Sequence, residues 1–176
     1  MKKYVKQTFI ILFLSLVVSI FSIAPVKAET VLKKGDTVPD FSLPDGLTGK
    51  TVYFDADIKD KSPLIALVFM STTCSACKAE LTMLSYLAND YEDDFVVYAV
   101  SIDLNGSKTV PHYNKTFGFN VNYLLDPDFN LPRKFGFTFT PAFILLKGDG
   151  RILYSKDGYD KSYEKEITSV IKKALR

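Results

Sequence analysis

Residues 64–81 read Leu-Ile-Ala-Leu-Val-Phe-Met-Ser-Thr-Thr-Cys-Ser-Ala-Cys-Lys-Ala-Glu-Leu, and no other stretch limits the chain's possible folds as strongly. Its opening run, about Leu64 to Met70, is unbroken apolar sequence and predicts a strand buried on both faces. A short Ser/Thr segment then leads into helix-forming sequence. The chain's only two cysteines, Cys74 and Cys77, sit at that junction. A Cys-x-x-Cys pair opening a helix sets the first sulfur among free backbone N–H groups and the positive end of the helix dipole, which favours thiolate over thiol. The arrangement is that of a redox-active dithiol.

Two plainer readings compete with it. In the chain-entropy model a disulfide stabilises more the longer the loop that it closes, so a pair spanning four residues is a poor staple. Cys-x-x-Cys is also half of many zinc sites, but a structural zinc needs four ligands and the chain adds only the distant His112, so no metal is expected unless two chains share an ion.

Length allows one domain, and a hydrophobic content of 47% is ample for one core. Residues 1–28 stand apart: Lys2, Lys3 and Lys6 precede an apolar run from Phe9 to Ala24, and Val26-Lys27-Ala28 suits cleavage of an export signal. The run is also close to the length of an uncleaved membrane anchor, and either reading leaves the domain, residues 29–176, outside the cytoplasm. The first 28 residues hold four lysines and no acid, leaving 18 basic against 20 acidic residues, a formal net charge of −2. That balance argues against nucleic acid as a partner.

Along the rest of the chain, Phe41 to Leu43 and Thr51 to Phe54 suggest a small hairpin, followed by a charged loop over 55–62. Apolar residues Leu81, Leu84, Leu87, Ala88 and Tyr91 recur at helical spacing, and 95–102 is a second strand, so strand, helix and strand form a parallel crossover. A helix over 107–117, a short strand at 121–125 and a helical turn over 130–135 follow. Residues 142–146 and 152–154 flank Gly148-Asp149-Gly150 as an antiparallel hairpin, and 162–175 closes as an amphipathic helix.

Four separated patterns carry a resemblance: Gly35-x-x-Val38-Pro39-Asp40-Phe41-x-Leu43; Gly49-Lys50-x-Val52; Cys74-x-x-Cys77-Lys78-x-Glu80; and Gly136-Phe137-x-x-Thr140-Pro141 before an apolar strand with a Gly-Asp-Gly turn. With them the chain resembles the exported TlpA/ResA-like thiol-disulfide oxidoreductases of the thioredoxin superfamily. The resemblance implies an α/β thioredoxin-like fold: a central mixed sheet flanked by helices, with an extra amino-terminal hairpin. It implies that Cys74 attacks the substrate and Cys77 resolves the mixed disulfide, the two forming a redox-active disulfide, with no cofactor.

It further implies that Pro141 is cis, the plain alternative being a trans proline at a strand start, and that Thr140 offers its backbone to an extended substrate. Thr73, Ser75 and Ala76, beside and between the sulfurs, complete the expected substrate contacts. Glu80 matches an acid of this branch and has two readings: a proton shuttle with a raised pKa, or a first-turn acid complementing the helix dipole. The chain departs from the family in having Thr73 where tryptophan usually precedes the first cysteine, and Ala76 where proline often stands.

The first functional expectation is a monomeric extracytoplasmic reductase that takes electrons from a membrane dithiol partner and passes them to disulfide-containing protein substrates, with apocytochrome c a client by family analogy. A thiol peroxidase is the second, because peroxiredoxins share the amino-terminal pattern, although Leu67 stands where their proline belongs. A copper(I) or thiol-binding module is the third.

Overall fold

The computed structural model describes residues 31–176, so the export signal or anchor expected at 1–28 lies outside the described residues. Strands β1 (Ser42–Pro44) and β2 (Thr51–Tyr53) pair antiparallel as the expected hairpin. The central sheet is built from β3 (Leu64–Met70), β4 (Phe95–Ser101), β5 (Asn122–Leu125), β6 (Ala142–Lys147) and β7 (Ile152–Asp157), in the order β5-β4-β3-β6-β7. β3, β4 and β5 run parallel, while β6 and β7 pair antiparallel, which makes the sheet mixed. The helices are α1 (Ser75–Tyr91), α2 (Gly106–Phe117), the short α3 (Asn130–Lys134) and α4 (Tyr163–Ala174).

β3 sits at the centre because nothing in it needs water. Leu64, Ala66, Val68 and Met70 face one core with Leu81 and Leu84 of α1, Val110 and Tyr113 of α2, and Ile167 and Ile171 of α4. Ile65, Leu67 and Phe69 face the other core with Phe54, Ile58, Leu131, Phe135 and Phe137. Burying each large side chain on this strand contributes about 1.5–3 kcal/mol relative to exposure.

The segment expected as a charged loop departs from that reading. Phe54–Ile58 forms one π-helical turn, closed by the Lys59 N–H donating to the Phe54 carbonyl at 2.8 Å. β2 therefore stops at Tyr53, whose N–H donates to the Asp57 carboxylate at 2.8 Å. Burial of Phe54 and Ile58 drives the turn, while Asp55 and Asp57 stay on its wet side.

Register fixes where the chemistry collects. Met70 at the end of β3 pairs with Ser101 at the end of β4, and Phe69 pairs with Ala142 at the start of β6. The loops holding Cys74, Asp103 and Thr140 therefore leave the sheet at one end, the carboxyl edge of its parallel strands, where α/β sheets commonly place their sites.

Candidate active site

Cys74 is the N-cap of α1 and Cys77 lies in its first turn. The two sulfurs are joined, with Cα atoms 5.2 Å apart. The Cys77 N–H donates to Cys74 Sγ at 3.1 Å, so one of the free donors of the helix start is aimed at that sulfur. Cys74 is partly exposed whereas Cys77 is fully buried against Leu81 and Val68 in the sheet-facing core. The asymmetry makes Cys74 the sulfur that an outside disulfide can reach. Thr73 and Ser75 are exposed beside it and Ala76 is half-buried between the sulfurs.

The loop before Cys74 is tied down from β4. Asp103 accepts hydrogen bonds from the Ser71 hydroxyl at 2.6 Å, the Thr72 N–H at 2.8 Å and the Ser101 hydroxyl at 2.9 Å. Ser71 in turn lies 3.0 Å from the Thr73 hydroxyl, and its carbonyl accepts from the Cys74 N–H at 3.1 Å. Partial burial alone raises the Asp103 pKa, but the bonds from Ser71, Thr72 and Ser101 outweigh it and hold the carboxyl below its ordinary value. Sequence reasoning passed over Asp103. The available signal was the run of three hydroxyl residues, Ser71 to Thr73, directly before Cys74.

Glu80, one turn past Cys77 on α1, is completely buried, and neither carboxylate oxygen has a hydrogen-bond partner among the described residues. Burial pushes its pKa up to about 8. A first-turn acid in water, one of the two readings of the sequence, does not describe this side chain.

The Thr140–Pro141 peptide is cis, and Pro141 is buried while Thr140 is half-exposed beside the exposed Phe139. Among the described residues no hydrogen bond engages the Thr140 N–H or C=O, although Gly158 donates to the Pro141 carbonyl at 2.8 Å. An extended peptide laid along this edge finds both backbone groups open.

Residues 33–171 match the Redoxin family model. The chain belongs to the Redoxin family. Within it, the chain is similar to the thiol-disulfide oxidoreductase ResA of Bacillus subtilis (strain 168), with 28% identity over 125 residues, covering 69% of this chain and 66% of that relative. The chain thus spans slightly less than two thirds of that relative's length. Among solved structures, a protein assigned as thiol:disulfide interchange protein DsbE from Chlorobium tepidum matches with a TM-score of 0.72 at 23% identity, over 82% of this chain and 99% of that one. The thioredoxin domain of a thiol-disulfide oxidoreductase from Bacteroides vulgatus matches with a TM-score of 0.62 at 23% identity, over 79% and 99%. These likenesses show the thioredoxin-like fold, with its mixed sheet, flanking helices and amino-terminal hairpin, and make the Redoxin chain similar to ResA-like thiol-disulfide oxidoreductases.

Proposed function

We propose that this chain is an extracytoplasmic thiol-disulfide oxidoreductase working as a disulfide reductase. The observation that carries the reading is the joined Cys74–Cys77 pair at the head of α1, one sulfur reachable and the other buried. In the reduced state the Cys77 N–H and the helix dipole favour the Cys74 thiolate. That thiolate attacks a client disulfide: a Cys74–client S–S bond forms, the client's own bond breaks, and its second sulfur leaves as a thiolate that takes a proton from solvent. Cys77 then gives up its proton and attacks Cys74, releasing the client's remaining sulfur. Two electrons pass to the client and the chain is left as the disulfide. A dithiol partner at the membrane returns them by the same exchange in reverse.

Glu80 is the acceptor proposed for the Cys77 proton. It is buried one turn from that sulfur, and its raised pKa lies near the range of a thiol, the match that proton transfer requires. Thr140 is proposed to hold the client strand through its open N–H and C=O, with Pro141 and the residues Thr73, Ser75 and Ala76 around the sulfurs. Location outside the cytoplasm rests on the sequence of the amino-terminal segment. The resemblance to ResA-like proteins makes apocytochrome c the first client to test.

The test is a trap. A Cys77→Ala chain is expected to accumulate clients linked to Cys74 that dithiothreitol releases, and Cys74→Ala to accumulate none. Wild-type protein should turn over insulin disulfides and pass through a reversible two-electron step in a graded redox buffer. Rapid peroxide consumption without insulin reduction would instead establish a thiol peroxidase.

A further inference from the structure

Beside the Cys74 loop, on its α2 side, lies a groove of about 480 Å³ between Thr72 and the face of α2 that carries Lys108, His112, Tyr113 and Phe117. Its floor is aromatic: Tyr113 is buried, and its ring meets that of Phe117 edge-on at 4.8 Å. Its rim is cationic. Lys78, one turn past Cys74 on α1, holds its Nζ 4.1 Å from the centre of the Phe117 ring, and Lys108 lines the α2 side. No carboxylate occurs anywhere on Gly106–Phe117, which carries Lys108 and Lys115. The nearby Asp103, held ionised by bonds from Ser71, Thr72 and Ser101, lies on the loop side, where its charge reaches Tyr113, so the cationic side of the groove is the one formed by Lys78 and Lys108. This cationic rim stands out on a domain whose net charge is −2.

The sheet order puts this groove and Thr140 on opposite sides of the cysteines, because β4, which leads into α2, and β6, which follows Thr140, flank β3 on its two edges. A client strand held by its backbone at Thr140 runs past Cys74 toward α2. We propose that the groove receives the client segment beyond its disulfide and selects segments in which an apolar side chain is followed by Asp or Glu. The apolar side chain packs against the exposed edge of Phe117, above the buried Tyr113, and the carboxylate meets Lys78 and Lys108. This specificity rests on the reductase reading above. Surface charge pairs are individually weak, so the discrimination is moderate and sensitive to salt.

The experiment uses three probe peptides of equal length, each with one cysteine joined to 2-mercaptoethanol and followed by Leu-Asp, Leu-Ser or Leu-Lys. Second-order rate constants are measured with the reduced chain at one pH. The Leu-Asp peptide is expected to react about three- to ten-fold faster than the Leu-Lys peptide at low ionic strength, from two pairs of ordinary surface strength. The ratio should collapse toward one in about 0.5 M salt, where the screening length falls to a few ångströms. Lys108→Glu is expected to remove most of the ratio even at low salt. Equal rates for all three peptides on the wild-type chain overturn the groove alone, as does a ratio that survives both salt and Lys108→Glu. A chain that reacts with none of the three overturns the reductase reading itself.

Discussion

The Asp103 carboxylate receives the Thr72 N–H at 2.8 Å across 31 positions of sequence, joining the end of β4 to the loop that delivers Cys74. With the Ser71 hydroxyl on its other oxygen, it closes a bracket behind the nucleophile proposed here. With Thr73 before the first cysteine, this chain holds the loop by hydrogen bonds.

That bracket predicts the behaviour of Asp103→Ala. Hydrogen bonds to a charged acceptor are worth about 1.5–3 kcal/mol, and partial exposure puts this site near the lower end, so a loss of about 2 kcal/mol is expected in urea unfolding. Because the loop also orients Cys74, client reduction should fall by about one order of magnitude. Asp103→Asn, which retains one acceptor, should lie between. An alanine variant with parental stability and rate would mean that the loop holds itself.

Tyr123 leads to a prediction of the opposite sign. It is fully buried, and its hydroxyl has no hydrogen-bond partner among the described residues. An unpartnered buried hydroxyl costs desolvation with nothing in return, so Tyr123→Phe should be neutral or stabilise the fold by up to about 1 kcal/mol. Urea midpoints with an unchanged slope are the measurement. A clear loss of stability would reveal a partner for that hydroxyl.

What could be read from the sequence divides along the same line. β3, α1, the β6–β7 hairpin and α4 were legible because each announces itself by a period or an unbroken apolar run within a few residues. Cys74 and Cys77 were legible because their spacing is itself the chemistry. The π-helical turn at Phe54–Ile58 was not, since Asp55 and Asp57 disguise two buried residues four apart. Asp103 was not either: its partners Ser71 and Thr72 lie on a different strand's loop, and only the parallel register of β3 with β4 brings them together. For Glu80 the helix phase was readable, but complete burial depended on what packed over it.

Gly148 offers a test of the turn that closes the β6–β7 hairpin. A Cβ there would stand 2.6 Å from the Ser62 carbonyl oxygen, a backbone atom held in place by its neighbours. The Gly148 N–H donates to Pro63 and its carbonyl accepts from Asp60, so the contact has no easy way to open. Gly148→Ala is expected to cost about 1–3 kcal/mol, as overpacking does elsewhere, without altering the thiol chemistry at the other end of the sheet. Thermal unfolding and insulin reduction measured on the same sample check both halves.

Glu80 makes the pH dependence of stability predictable. Its folded pKa of about 8 lies above the ordinary value of 4.5 because burial disfavours the charged form. Below the ordinary value the group is protonated in both states, and its full contribution is present. As pH rises from there toward 8, the unfolded chain releases the proton while the folded chain keeps it, so stability falls; above the folded pKa both states are ionised and the loss levels off. The slope approaches about 1.4 kcal/mol per pH unit at most, and the total is on the order of a few kcal/mol. Glu80→Gln removes this slope, so its stability advantage over the parent should widen between pH 5 and pH 8, roughly the window set by the two pKa values. Urea unfolding at three pH values across that window gives the comparison, and parallel curves for the two proteins would show that the carboxyl is hydrated. The same variant should slow release of the mixed disulfide most near pH 8, where a substantial fraction of Glu80 is ionised and able to take the Cys77 proton.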